Sequence, residues 1–242
     1  MPDLVVITGA SGGLGAALAT SVPFPAHVVD VSRSGPGRSD IEHVEADLSD
    51  PARWSTVGAA ISRLVNQHDP DRVVLIHNAG TLDPIGFAGE VDDDAYRTNV
   101  LLNSAAGQVL GHHFLKAVSG RQGRRELVMI TSGASTSPYA GWSSYGAGKA
   151  ALDQWVRSVG LEQADRGGTV VVAIAPGVVD TPMQAEIRET SSGNFPTVER
   201  FRDLKDRGQL VSPEDAAQRI WSLLASGIET GSVLDIRVDS PG

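Results

Sequence analysis

Three observations on this sequence predict an α/β fold built on a doubly wound parallel sheet of about seven strands, with helices on both faces. Seven short runs are almost continuously apolar and rich in β-branched residues, as strands covered on both faces are. Longer stretches of helical periodicity alternate with them, the pattern of right-handed βαβ units. A glycine-rich turn joins the first run to the first helical stretch.

The runs lie at 4–8, 27–32, 43–46, 72–77, 127–131, 169–175 and 233–238. Helical stretches are expected near 13–22, 51–67, 92–118, 143–166 and 213–226. Asp50-Pro51 and Ser212-Pro213 read as N-cap followed by N1 proline, and Glu214-Asp215 suit the positive end of a helix dipole. Asp92-Asp93-Asp94 reads as another helix start. The basic cluster Arg121, Arg124, Arg125 reads as a solvated loop with helix-end charges. One irregular segment, about 178–211, carries Pro182, Ser191-Ser192-Gly193 and Pro196 after a strand end, where such sheets place a substrate lid. With no repeat or second composition, residues 1–242 read as one domain.

Composition narrows the function. The net charge of −9 disfavours nucleic acid and anionic membrane surfaces as partners. With no cysteine in the chain, disulfides and thiolate chemistry are excluded. His112-His113 are adjacent on a helix pattern, which suits a surface or interface better than a metal, and no metal is expected. The start MPDLVVITGA enters a strand directly, so the expectation is a soluble, cytoplasmic protein.

The turn TGASGGLG at 8–15 provides Gly9, Ser11, Gly12, Gly13, Leu14 and Gly15 after a strand and at a helix start. Glycine lets backbone N–H groups close on a pyrophosphate, and the helix N-terminus faces its charge. The end of the second strand selects the nicotinamide cofactor, an acid there favouring NAD and an arginine the 2′-phosphate of NADP. It reads Val29-Asp30-Val31-Ser32-Arg33-Ser34. With the strand ending at Ser32, Arg33 and the serine hydroxyls favour NADP; an end two residues earlier would favour NAD through Asp30.

In "SSYGAGK" at 143–149, Tyr145 and Lys149 are four apart and share a helix face. A free phenol titrates near pH 10, and a neighbouring ammonium is expected to lower that and make Tyr145 a usable acid or base. Ser132, in Ile130-Thr131-Ser132-Gly133-Ala134, is not in a hydrolase elbow.

Together TGASGGLG, Asp47-Leu48, HNAG at 77–80, Ser132, Tyr145-x-x-x-Lys149, and Pro176-Gly177 with Thr181 resemble the short-chain dehydrogenase/reductase family from end to end, and so a Rossmann-type domain. The resemblance implies that Ser132, 13 residues before Tyr145, bonds a substrate carbonyl. It implies a helix-borne Asn anchoring a proton-relay water; Asn103, 29 residues before Ser132, is chosen over Asn99. It also implies that Lys149 holds the nicotinamide ribose, that Asp47 and Leu48 meet the adenine, and that Asn78, Ala79, Gly80, Pro176, Gly177, Val179 and Thr181 line the cofactor cleft. His77 stands where an Asn is usual, a position that supports the sheet. The segments "SGASTSPYAGWSSYGAGKAA", "APGVVDTPMQAEIRET" and "VERFRDLKDRGQLVSPEDAAQRIWSLL" are similar to bacterial benzil reductases and to sepiapterin reductases. Both groups reduce a ketone beside a second carbonyl with NADPH. Tyr139, Trp142 and Met183 are expected to shape the substrate pocket, and Asp235 falls near a pterin-holding carboxylate or is a plain surface acid. A homodimer or homotetramer through the 92–118 and 143–166 helices is implied. A catalytically silent NADP sensor is the rival of another class.

Overall fold

The computed structural model describes residues 2–166 and 168–239. Among these, seven strands form one parallel sheet in the order β3-β2-β1-β4-β5-β6-β7. They are β1 (Asp3–Thr8), β2 (Ala26–Ser32), β3 (Glu42–Glu45), β4 (Arg72–His77), β5 (Arg124–Ile130), β6 (Val170–Ala175) and β7 (Val233–Asp235). The chain runs outward from β1 to β3, then returns to β4 on the other side of β1. That reversal opens a crevice at the carboxyl ends of β1 and β4.

Alternate residues of the buried strands feed two cores. Leu4, Val6, Val73, Leu75, Leu127 and Val171 pack against α2 (Pro51–His68), α4 (Ala106–Ala117) and α5 (Ser143–Asp165). Val5, Ile7, Val74, Ile76, Val128 and Val172 pack against α1 (Gly13–Thr20) and α8 (Pro213–Ala225). Fully burying one such side chain contributes roughly 1.5–3 kcal/mol, so the two-sided apolar pattern carries the architecture. The expected caps form: Asp50 accepts from the Ala52 N–H, Asp92 from Ala95, and Ser212 from Asp215.

Several boundaries differ from expectation. The 92–118 stretch is α3 (Asp93–Val100), a π-helical turn over Leu101–Ala105, and α4. The 178–211 segment is not irregular. It holds α6 (Pro182–Glu189) and α7 (Val198–Asp206), because Pro182 occupies a first-turn position and the mixed charges pair along the helices. Arg124 and Arg125 open β5 rather than lying in a loop, since Arg72 and Arg124 both pair with Glu126, which is 1% exposed. The last strand stops at Asp235, short of 238. His113 lies against α2, where a Cβ on Gly58 would meet its ring at 2.5 Å. Among the described residues no helix is long and apolar enough to cross a membrane, and no group of His, Cys, Asp or Glu is arranged to hold a metal.

Candidate active site

A cleft of about 1150 Å³ runs along the carboxyl ends of the strands. Every residue expected at the site lines it except Gly15 and Asn103, which lie just behind its wall. Gly9 adopts φ 73, a left-handed conformation that a side chain would strain. Gly15 sits inside α1 against the turn it follows. A Cβ there would lie 2.6 Å from Asn78 Nδ2 and closer still to the Gly9 carbonyl oxygen. Asn78 fixes the turn from the other side, its Nδ2 donating to the Thr8 and Gly9 carbonyls at 3.2 and 3.3 Å. The Thr8 hydroxyl accepts from the Asn78 and Ala79 N–H groups, both at 3.0 Å, and so donates to His77 Nδ1 at 3.1 Å. His77 thus ties β1 to β4. Burial and, secondly, the charge of Lys149 push its pKa down to about 3, and it stays neutral.

The register question at β2 has a physical answer. The strand ends at Ser32, and Asp30 is fully buried. Its carboxylate accepts from the Ala10 N–H at 2.8 Å, the Ser32 hydroxyl at 2.5 Å and His43 Nδ1 at 3.0 Å. Asp30 therefore braces the glycine turn and is not presented to the cleft. The Ser32 hydroxyl proton is committed to Asp30, so the donors that line the cleft here are Arg33 and Ser34. Asp47 lies close by. Its carboxylate is held below the usual range chiefly by the Ser49 hydroxyl, with a smaller contribution from the Arg33 charge. This set suits a dinucleotide: a positive-φ turn lies at a helix start, Asp30 is enclosed behind it, and the Arg33 guanidinium is exposed just after β2.

At the other end, Ser132 ends the β5 connection and its Oγ accepts from the Ala134 N–H, capping a 3-10 turn over Gly133–Ser135. Tyr145 and Lys149 sit on the first turns of α5, both buried. The close approach of this helix depends on Gly148, where a Cβ would lie 2.9 Å from that of Asn103. Lys149 Nζ lies 5.8 Å from the Tyr145 ring centroid and donates to the Ile130 carbonyl at 2.9 Å. The expected lowering of the Tyr145 pKa is not what the structure gives. Burial raises it, and a side-chain hydrogen bond with Ser132 only partly opposes that. A phenol kept protonated is the state a proton donor needs.

Asn103 stands on the π turn. Its Oδ1 accepts from the Thr81 N–H at 3.1 Å, and its Nδ2 donates to the Thr81 carbonyl at 2.7 Å and to Asn99 Oδ1 at 2.9 Å. Both Nδ2 protons and one Oδ1 lone pair are engaged, so the side chain holds the Gly80–Thr81 wall and keeps one acceptor position. Trp142 stacks on Phe195 at 4.4 Å and meets Tyr145 edge-on at 5.6 Å, so it packs and lines the pocket at once. Asp235 is clasped by Arg237, with Nε and Nη2 donating to its two oxygens. That contact holds its carboxylate below the usual range and leaves Arg237, not Asp235, lining the cleft.

A sequence-family model described as short chain dehydrogenase matches residues 3–192. The chain belongs to the short-chain dehydrogenase family. It is 38% identical over 242 residues to a benzil reductase ((S)-benzoin forming) of Bacillus subtilis, covering 97% of this chain and 98% of that one. It is 30% identical to the sepiapterin reductase of Bos taurus, covering 96% and 93%. The crystal structure of the short-chain dehydrogenase/reductase YIR035C of Saccharomyces cerevisiae superposes with a TM-score of 0.83 at 25% identity, covering 98% and 97%.

Sequence reading missed one residue of this short-chain dehydrogenase site. Asp153, one turn beyond Lys149, is 2% exposed, and among the described residues neither carboxylate oxygen has a hydrogen-bond partner. Burial pushes Lys149 down to about 8 from its usual 10.5, and the Asp153 charge opposes that shift. Because the folded value lies below the unfolded one, the charged ammonium opposes folding below about pH 8. That penalty is relieved as pH rises toward 10.5. Asp153→Asn removes the opposing charge, so Lys149 should lose its proton at lower pH. A pH profile of kcat/KM should show its alkaline limb displaced to lower pH in the variant. An unmoved limb, or one moved upward, contradicts this coupling.

Proposed function

We propose that the chain is an NADPH-dependent carbonyl reductase acting on a small aromatic 1,2-diketone such as benzil, with Tyr145 as proton donor. The observation that carries this reading is the Ser132–Tyr145 hydroxyl pair under an aromatic wall formed by Tyr139, Trp142 and Phe201. Likeness to the Bacillus benzil reductase supports the diketone. The sepiapterin alternative is less well supported, because Asp235 is already paired with Arg237.

Gly9, Ser11, Gly12, Gly13 and Leu14 would hold the pyrophosphate, Arg33 and Ser34 the 2′-phosphate, Lys149 the nicotinamide ribose and Thr181 the carboxamide. When bound, the reduced nicotinamide supplies a hydride to the ketone carbon. Ser132 and Tyr145 donate hydrogen bonds to the ketone oxygen, where negative charge develops. Tyr145 delivers its proton there, and the Lys149 ammonium stabilises the phenolate left behind. Met183 and the α6–α7 lid cover the pocket and exclude water. An assembly of two or four copies through α4 and α5 fits this reading, with Leu161 of α5 74% exposed.

The test is absorbance loss of NADPH and NADH in parallel, with benzil as substrate. NADPH should be used with kcat/KM about a hundredfold higher, since a phosphate–guanidinium contact contributes on the order of 1.5–3 kcal/mol. Arg33→Ala should bring that ratio close to one. Faster NADH use by the wild type contradicts the Arg33 assignment. Absence of carbonyl turnover despite NADPH binding contradicts the reductase reading and favours the sensor.

A further inference from the structure

The substrate end of the cleft carries a guanidinium that hydride transfer does not use. Arg200, on α7, lines the cleft beside Tyr139, Thr197 and Phe201. It is exposed, and its Nη1 donates to the Tyr139 hydroxyl at 3.1 Å. Among the described residues no carboxylate lies within ion-pair distance of Arg200. The other cations of this helix are paired, Arg202 with Glu199 at 2.5 Å and Lys205 with Asp180 at 2.6 Å, as is Arg207 at its C-cap, with Asp203 at 3.7 Å. Arg237, the second guanidinium at this end, is neutralised by Asp235 at 2.5 Å. Arg200 is thus the cation left to meet a ligand there.

Its placement fixes where that ligand's charge would lie. From the Tyr145 ring to Trp142 is 5.6 Å between centroids, and from Trp142 to Tyr139 a further 5.1 Å. The guanidinium is held at the Tyr139 hydroxyl. A group bound there lies beside Tyr139, which meets Tyr145 through Trp142 along this aromatic wall. A guanidinium offers five N–H donors in a planar fork that fits the two oxygens of a carboxylate, and only one donor is engaged by Tyr139. Asp83 and Glu186 also line the cleft and act on each other electrostatically; they repel an anion placed beside them. The arrangement favours an anion at Arg200 over one beside that pair.

We infer that Arg200 and the Tyr139 hydroxyl determine specificity by receiving a carboxylate, so that among the ketones this site reduces those that also carry a carboxylate are preferred. The inference rests on the reductase reading above and names the substrate class of the same site.

The test compares 4-acetylbenzoate with methyl 4-acetylbenzoate, two ketones of one shape that differ in charge, using NADPH. Wild-type kcat/KM should favour the acid by about tenfold or more, mainly through KM. Arg200→Met should bring the acid-to-ester ratio near one, and Arg200→Lys should keep part of it. Raising the salt concentration should shrink the wild-type ratio, because the guanidinium is exposed. Should Arg200→Met lower the unfolding temperature, Arg200→Gln, neutral and still able to donate to Tyr139, decides. A wild type that reduces benzil and the ester with no preference for the acid overturns the inference, as does a preference that survives both neutral variants. A wild type that reduces none of the three overturns the reductase reading itself.

Discussion

Tyr145→Phe should lower kcat for ketone reduction by about a thousandfold or more and leave NADPH affinity within about threefold of wild type. General acid catalysis accounts for roughly 10²–10⁴-fold in rate, and here one group both donates the proton and bonds the developing oxyanion. The substitution keeps the ring, and with it the edge-on contact to Trp142 at 5.6 Å and the packing around Leu82 and Phe195. It removes one hydroxyl from beside Ser132 and adds no bulk, so the unfolding temperature should change little. Steady-state kinetics and fluorescence titration with NADPH separate the two effects. A variant that retains a tenth of wild-type kcat contradicts the role assigned to Tyr145. One that loses NADPH affinity in proportion contradicts the division of the cleft into cofactor and substrate ends.

Gly15→Ala should be the most damaging single methyl group added to the cofactor turn. The residue lies inside a helix, where alanine is otherwise favoured over glycine, so any loss is steric. The new Cβ would stand 2.6 Å from Asn78 Nδ2 and 2.8 Å from the Gly9 carbonyl carbon, both held by hydrogen bonds. Overpacking against backbone costs about 1–3 kcal/mol or more, which corresponds to roughly 2–12 °C in unfolding temperature for a chain of this size. Cofactor affinity should fall by at least tenfold, because relieving the clash displaces the Gly9 turn. Gly12→Ala is the contrast. Its Cβ would meet nothing within 4 Å and its φ is −173, so the unfolding temperature should stay within about 3 °C of wild type. Equal destabilisation by the two substitutions would show that the Gly9–Gly15 contact does not govern this turn.

The sheet was legible because its strands are buried on both faces and alternate with helices. Runs such as 72–77 and 169–175 leave little room for another assignment. The Tyr145–Lys149 pair was legible because helical spacing places the two on one face, and Ser132 through the resemblance to the short-chain dehydrogenases. What could not be read were consequences of burial and of register. The end of β2 was open between Asp30 and Ser32 until the Ala10 N–H and His43 were seen to enclose Asp30. The direction of the Tyr145 pKa depends on how much water reaches the phenol, which no spacing reports. The π turn that carries Asn103 has the same apolar periodicity as the helix around it. Arg124 reads as a loop charge unless its partner, the buried Glu126, is known. Asp153 did leave a signal, a carboxylate one helical turn beyond Lys149, but a lone acid on a helix is usually solvated. In the lid, pairs such as Glu199 with Arg202 read as an irregular run of mixed charge until the helix brings them together.

The central claim, that the Ser132–Tyr145 pair presents a diketone for hydride addition, is tested most directly by isotope transfer. NADPH carrying deuterium at both hydrogens of the nicotinamide 4-position would be incubated with benzil and the wild-type protein, and the benzoin product analysed by mass spectrometry. The account predicts one deuterium on the carbinol carbon at every turnover, and no labelled product from Tyr145→Phe above background. Unlabelled benzoin, or labelled benzoin formed equally by the variant, would contradict it.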